Sequence, residues 1–144
     1  MKTLIFHACA WFFVAATAAE PKGFRLFSQE RRGGFADQFF VAEDRLGKAP
    51  RWNPEKSAEP PLSMTKATAI GREYVLKKEK VQELLLESAT LYRMATHGAF
   101  QDIAYYRIQF NLGNFDHPIA IILMDGTVVE PLRGPSKYDK ADSQ

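Results

Sequence analysis

Between Ala104 and Leu112 the sequence alternates without a break. Ala104, Tyr106, Ile108, Phe110 and Leu112 fall on one parity, and Tyr105, Arg107, Gln109 and Asn111 on the other. A period of two places the sets on opposite faces of a β-strand, whereas a helical stripe would recur every three to four residues. One face therefore needs a core against it. The other carries Tyr105, Arg107, Gln109 and Asn111 and is predicted to face outward, as antiparallel sheets commonly do, unless the N-terminal half covers it. A strand over Asp102–Leu112 is the anchor of the fold.

Its neighbours follow from the same logic. Leu84–Met94 reads as a preceding strand, and Ile119–Met124 as a later one that is apolar on both faces. Asp125-Gly126 is the best turn dipeptide and predicts a type I′ turn with positive φ at both positions. Thr127-Val128-Val129 returns as a short last strand that ends before Pro131, and the polar tail Gly134–Gln144 is predicted to fray. Upstream, Ser63 can cap a helix whose apolar stripe is Ala67, Ile70, Gly71, Tyr74 and Val75. Lys77, Lys78 and Lys80 suit its negative C-terminal end.

Residues 20–61 are less regular. Phe24, Leu26 and Phe27, then Phe35, Phe39, Phe40 and Val41, suggest two short elements split by Arg31-Arg32-Gly33-Gly34, a turn signal in which the arginines are predicted to be exposed. Arg51-Trp52-Asn53-Pro54 and Ala58-Glu59-Pro60-Pro61 read as an extended connector anchored by Trp52. The expected fold is α+β: one principal helix packed on a three- to four-stranded antiparallel sheet (residues 62–133), with an irregular N-terminal extension.

The chain of 144 residues opens with Met-Lys, an apolar run from Leu4 to Val14 and the small residues Ala15 to Ala19. These are the three parts of a cleavable signal peptide over residues 1–19, with Ala16-Thr17-Ala18 as the cleavage pattern. The run is too short to span a membrane, so no membrane association is expected after cleavage. Cys9 lies inside the run, and the mature chain has no cysteine. That fits an exported bacterial protein, periplasmic or secreted, stabilised by an ordinary core. With 19 basic and 17 acidic residues, and Lys2 leaving with the leader, the mature chain is near neutral and lacks an electrostatic footprint for nucleic acid.

Several segments together resemble the PepSY-like domain, a small exported module with one helix on an antiparallel sheet. Leu62-Ser63 with Ala67 and Ile70 looks like its helix opening, and Leu86-Glu87-Ser88-Ala89-Thr90-Leu91 like its first strand. Tyr105-Tyr106-Arg107-Ile108-Gln109-Phe110 resembles the aromatic second strand, and Ile121-Ile122-Leu123-Met124-Asp125-Gly126-Thr127-Val128 the closing strand and turn. Small exported bacterial proteins with Trp-x-Pro, Pro-Pro-Leu-Ser and Asp-Gly-Thr-Val patterns are similar too. The resemblance covers residues 60 to 132. It implies non-catalytic binding, of the kind proposed for inhibitors or chaperones of peptidases, and brings no catalytic residues.

The residues themselves offer little chemistry. His97, His117, Asp116 and Asp102 lack metal-ligand spacing, so solvated loop histidines are expected and no metal or cofactor. Glu87 and Asp102 read as strand-surface charges rather than paired catalytic carboxylates. Ser63 is a cap, Ser88 lies mid-strand, and Gly33-Gly34 lacks the helix and lysine of a phosphate loop. The expected function is a non-enzymatic binding module for another exported or envelope protein, with Tyr105, Arg107, Gln109 and Asn111 as the contact face. The rivals are a small-ligand carrier lined by Tyr74, Tyr92, Tyr106 and Phe110, and a metal-dependent hydrolase using His97 and His117.

Overall fold

The computed structural model describes residues 23–31, 33–94, 101–113 and 116–136. The predicted signal peptide, His97, and the tail beyond Ser136 lie outside them. The elements are β1 (Phe24–Arg31), β2 (Phe35–Val41), α1 (Glu43–Lys48), α2 (Met64–Glu79), β3 (Leu85–Arg93), β4 (Ala104–Asn111), β5 (Ile119–Leu123), β6 (Val128–Val129) and β7 (Pro131–Pro135). They form two antiparallel sheets, ordered β1-β2-β7 and β3-β4-β5-β6. The fold is mixed α+β. It is dominated by its sheets, and it has two of them where one was expected.

The N-terminal half is therefore not an irregular extension. Gly33 and Gly34 take φ of +92° and +76°, values that favour glycine, and let β1 turn directly into β2. The strand that sequence reasoning missed is β7, which pairs with β2 from Phe35↔Pro135 to Phe39↔Pro131. Proline cannot donate to a ladder and is confined to edges. β7 is such an edge: β6 ends at Val129, before Pro131, as expected, and Pro131 and Pro135 bound a further strand after it.

In α2 the sequence expectations hold. Ser63 accepts a hydrogen bond from the Lys66 amide at 3.3 Å, and Lys80 closes the helix in the left-handed region at φ 54°. Ala67, Gly71 and Val75 are its buried stripe. Gly71 serves a close approach: a Cβ there would lie 3.2 Å from Ala120 Cβ and 3.3 Å from Ile108 Cδ1. Ser63→Ala is expected to destabilise the protein by about 1 kcal/mol, read as a lower thermal midpoint, because the cap satisfies an otherwise orphaned amide.

The turn between β5 and β6 departs from expectation. Gly126 N–H donates to Leu123 O at 2.9 Å, and Gly126 alone has positive φ (+85°), while Asp125 does not. The result is a three-residue loop, Met124–Gly126, closed by Leu123 N–H to Thr127 O at 2.9 Å. That is the next commonest hairpin loop after the two-residue forms.

Three layers result. Tyr106, Ile108, Phe110, Ala120 and Ile122 pack with Ala67 and Val75 of α2 in one core. Tyr105, Ile119, Ile121, Leu123 and Val129 pack with Phe39, Val41 and Leu46 in a second, beneath the three-stranded sheet. β4 and β5 thus supply both cores from alternate residues. Among the described residues, no helix is long and apolar enough to cross a membrane.

Candidate functional site

The face holding Tyr105, Arg107, Gln109 and Asn111 is covered by the second sheet, which corrects the expectation that it looks outward. Tyr105 is 8 % exposed, stacks on Tyr92 with ring centroids 5.5 Å apart, and donates through its hydroxyl to Leu26 O at 3.3 Å. Burial, with a smaller push from Tyr92, raises its pKa. Arg107 is partly buried, its guanidinium carbon 4.8 Å from the Phe27 ring centroid and 4.6 Å from that of Tyr92. Gln109 and Asn111 lie toward the far end of β4. Gln109 Nε2 donates to Glu87 Oε2 at 3.0 Å, and Asn111 Oδ1 accepts from the Gly113 amide at 2.6 Å. The four share a face, and each is paired with a residue of β3. The run Ile119–Met124, apolar on both faces, was the signal for a cover on each side of the sheet.

At that same end of the sandwich the inner face turns from apolar to charged. Along β1 it reads Phe27, Gln29, Arg31, and along β2 Val41, Phe39, Asp37. The Asp37 side chain is 3 % exposed and accepts from Arg133 Nε at 2.9 Å, Arg133 Nη2 at 3.2 Å and Arg31 Nη1 at 3.2 Å. Arg31 also reaches Asp116 at 2.8 Å and Glu79 at 3.5 Å. It is not the exposed turn residue expected. Burial pushes the Asp37 carboxyl up, but the hydrogen bond and charge of Arg133, with the charges of Lys78 and Arg31, outweigh it, and the net shift is down. Beside this group Lys78 lies over the Tyr74 ring at 5.4 Å, its pKa lowered by burial against the pull of Asp37 and Glu79. The Tyr74 hydroxyl donates to Glu130 at 2.8 Å; burial and this bond hold it protonated well above the usual tyrosine range. An ionised carboxylate gripped by two arginines is a poor proton carrier. The cluster ties β1, β2, β7, α2 and the β4–β5 connection together.

The remaining candidates disperse. His117 Nδ1 lies 2.7 Å from Glu87 Oε2, and the His117 and Gln109 hydrogen bonds lower the Glu87 pKa. Asp116 pairs with Arg31. Asp102 stands before β4 with φ 65° and pairs with Arg93 at 3.3 Å, so the length of β4 separates it from Glu87, Asp116 and His117. Among the described residues no His, Cys, Asp and Glu side chains group as metal ligands. The proposed carrier residues do not share one space either. Tyr106 and Phe110 are packed in the helix-side core, while Tyr92 lies on the opposite face of the sheet. An open pocket of about 380 Å³ lies instead beside Trp52, lined by Arg51, Asn53, Lys56, Glu59 and Asp102. Trp52 anchors the connector there by donating from Nε1 to Ser57 O at 3.0 Å.

Comparison with known proteins finds no matching family model, no matching curated protein and no matching solved structure.

Proposed function

We propose that the protein is a non-enzymatic binding module that takes an extended segment of another exported protein, a peptidase or other envelope protein, along the edge formed by β3. The observation that carries this reading is β3 itself. It is nine residues long, and among the described residues it pairs only with β4. Leu85 and Leu86 at its start are 70 % and 46 % exposed. An uncovered edge is a template for a further strand, with main-chain hydrogen bonds giving affinity and alternate side chains giving specificity. The resemblance to PepSY-like domains supports the same class of function, as does the predicted signal peptide.

The test is capture of the tagged protein from its native host, in parallel with Leu85→Asp/Leu86→Asp. One enriched envelope protein, lost from the variant, is the expected outcome. Recovery of the wild-type protein alone, or equal capture by both, would count against the reading. A small-ligand carrier is the second reading, and the pocket beside Trp52 is the observation that favours it. Ligand recovered by native mass spectrometry and lost in Trp52→Ala would move the assignment there.

A further inference from the structure

Among the described residues Arg107 is the one partly buried arginine with neither an ion pair nor a hydrogen bond. Three arginines are partly buried among the described residues: Arg31, Arg72 and Arg107. Arg31 holds three carboxylates, and Arg72 donates to Leu84 O at 2.7 Å. Arg107 has aromatic rings at 4.8 Å and 4.6 Å, and its buried Nε finds no hydrogen-bond partner. Among the described residues no ion pair or hydrogen bond reaches its guanidinium. The rings favour a cation, but they do not replace the acceptor that the enclosed Nε–H loses on leaving water.

The surroundings are polar and lie at the edge of the sandwich. Thr90 is the β3 partner of Arg107, and Ser88 is the partner of Gln109, which places both on the face of β3 turned toward β1. Both are partly buried, and β1 and β3 are the outer strands of their sheets. On β1, two residues from Phe27, Gln29 donates from Nε2 to His117 O at 2.7 Å, yet its buried Oε1 has no partner. The orphan cation therefore lies on a face of β4 whose β3 neighbours, Ser88 and Thr90, are polar and partly buried.

We infer that Arg107 is the receptor for a carboxylate on the partner's extended segment. The inference rests on the binding-module reading and names the chemistry of its partner: an acidic peptide. With Nε enclosed, the two terminal nitrogens are the edge left for a ligand, and a carboxylate fits that fork with two parallel hydrogen bonds.

The experiment follows the Arg107 Nε–Hε resonance of the ¹⁵N-labelled protein during titration. The probes are Ac-Thr-Val-Glu-Val-Thr-NH₂, its glutamine counterpart, the glutamine peptide with a free C-terminal carboxylate, and inorganic phosphate. A saturable shift with the glutamate peptide is expected, and at least a tenfold weaker one with its amide counterpart, about 1.4 kcal/mol. A preference for the free C-terminus would assign the carboxylate to a chain end and still support the receptor. Arg107→Lys, which keeps the charge and loses the fork, is expected to weaken binding about tenfold. The wild-type titration stands even where that variant folds poorly. Saturation by phosphate in preference to every carboxylate, or no movement of Nε at millimolar peptide, overturns the inference. Shifts confined to β3 amides, with Nε unmoved, would uphold edge docking and overturn the receptor. Nε movement without β3 shifts would uphold the receptor and overturn edge docking.

Discussion

Asp37→Ala is expected to lower the unfolding free energy by about 3 kcal/mol, seen as a lower urea midpoint with an unchanged slope. The carboxylate is enclosed and accepts three hydrogen bonds from Arg31 and Arg133. Removing one partner of a buried pair leaves charge uncompensated, at about 3–5 kcal/mol. The low end applies because Arg31 keeps Asp116 at 2.8 Å and the half-exposed Arg133 can return to water. An exposed acid such as Asp44 serves as control, with a change to alanine expected within about 0.5 kcal/mol. The pH dependence has a definite sign. The folded-state pKa of Asp37 lies below its ordinary value, despite the upward push of burial, because Arg133 and the charges of Lys78 and Arg31 outweigh it. Its contribution is therefore complete above the ordinary aspartate range and is lost as pH falls through the depressed value. Wild type should lose stability over that acid window, and Asp37→Ala should lose less. A variant within about 0.5 kcal/mol of wild type would mean that the cluster contributes no net stability.

Neither Asp37 nor the inward turn of Arg31 was read from the sequence, although a signal was there. In Phe27, Gln29, Arg31 and in Asp37, Phe39, Val41 the alternating inner positions change from apolar to charged at the same end of one hairpin. The irregularity between Arg25 and Phe27 and the run Phe39-Phe40-Val41 hide that alternation. By contrast α2 and β4 were legible because their periodicities are unbroken, and β5 because it is a short apolar run closed by a recognisable turn residue, Gly126. β7 was not, since its prolines read as terminators until its position at an edge is known. Arg107 illustrates the limit on the site. Parity says which face of β4 it occupies, but whether that face meets water or a second sheet depends on a hairpin eighty residues upstream.

Phe39→Ala is expected to cost about 3–5 kcal/mol, and Phe110→Ala a similar amount. The two residues occupy different cores. Phe39 is 1 % exposed beneath the three-stranded sheet, with its ring centroid 6.3 Å from that of Phe27, and Phe110 is fully buried under α2. The comparison asks whether the N-terminal hairpin is an appendage or half of the fold. β4 and β5 send alternate side chains into both cores, so loosening either loosens the same backbone. One unfolding transition is therefore expected for each variant, with amides of Tyr106 and Ile108 losing exchange protection in Phe39→Ala as they do in Phe110→Ala. If Phe39→Ala instead produced an early transition that spared those amides, the three-stranded sheet would open on its own. The consequence would reach Arg107, because Phe27 and Gln29 belong to that sheet. A jointly folded pair of sheets offers a partner's carboxylate a receptor whose aromatic walls are already placed. A cover that opens separately would leave the arginine to be enclosed only when the partner arrives, and binding would then carry the entropy of closing β1 over it.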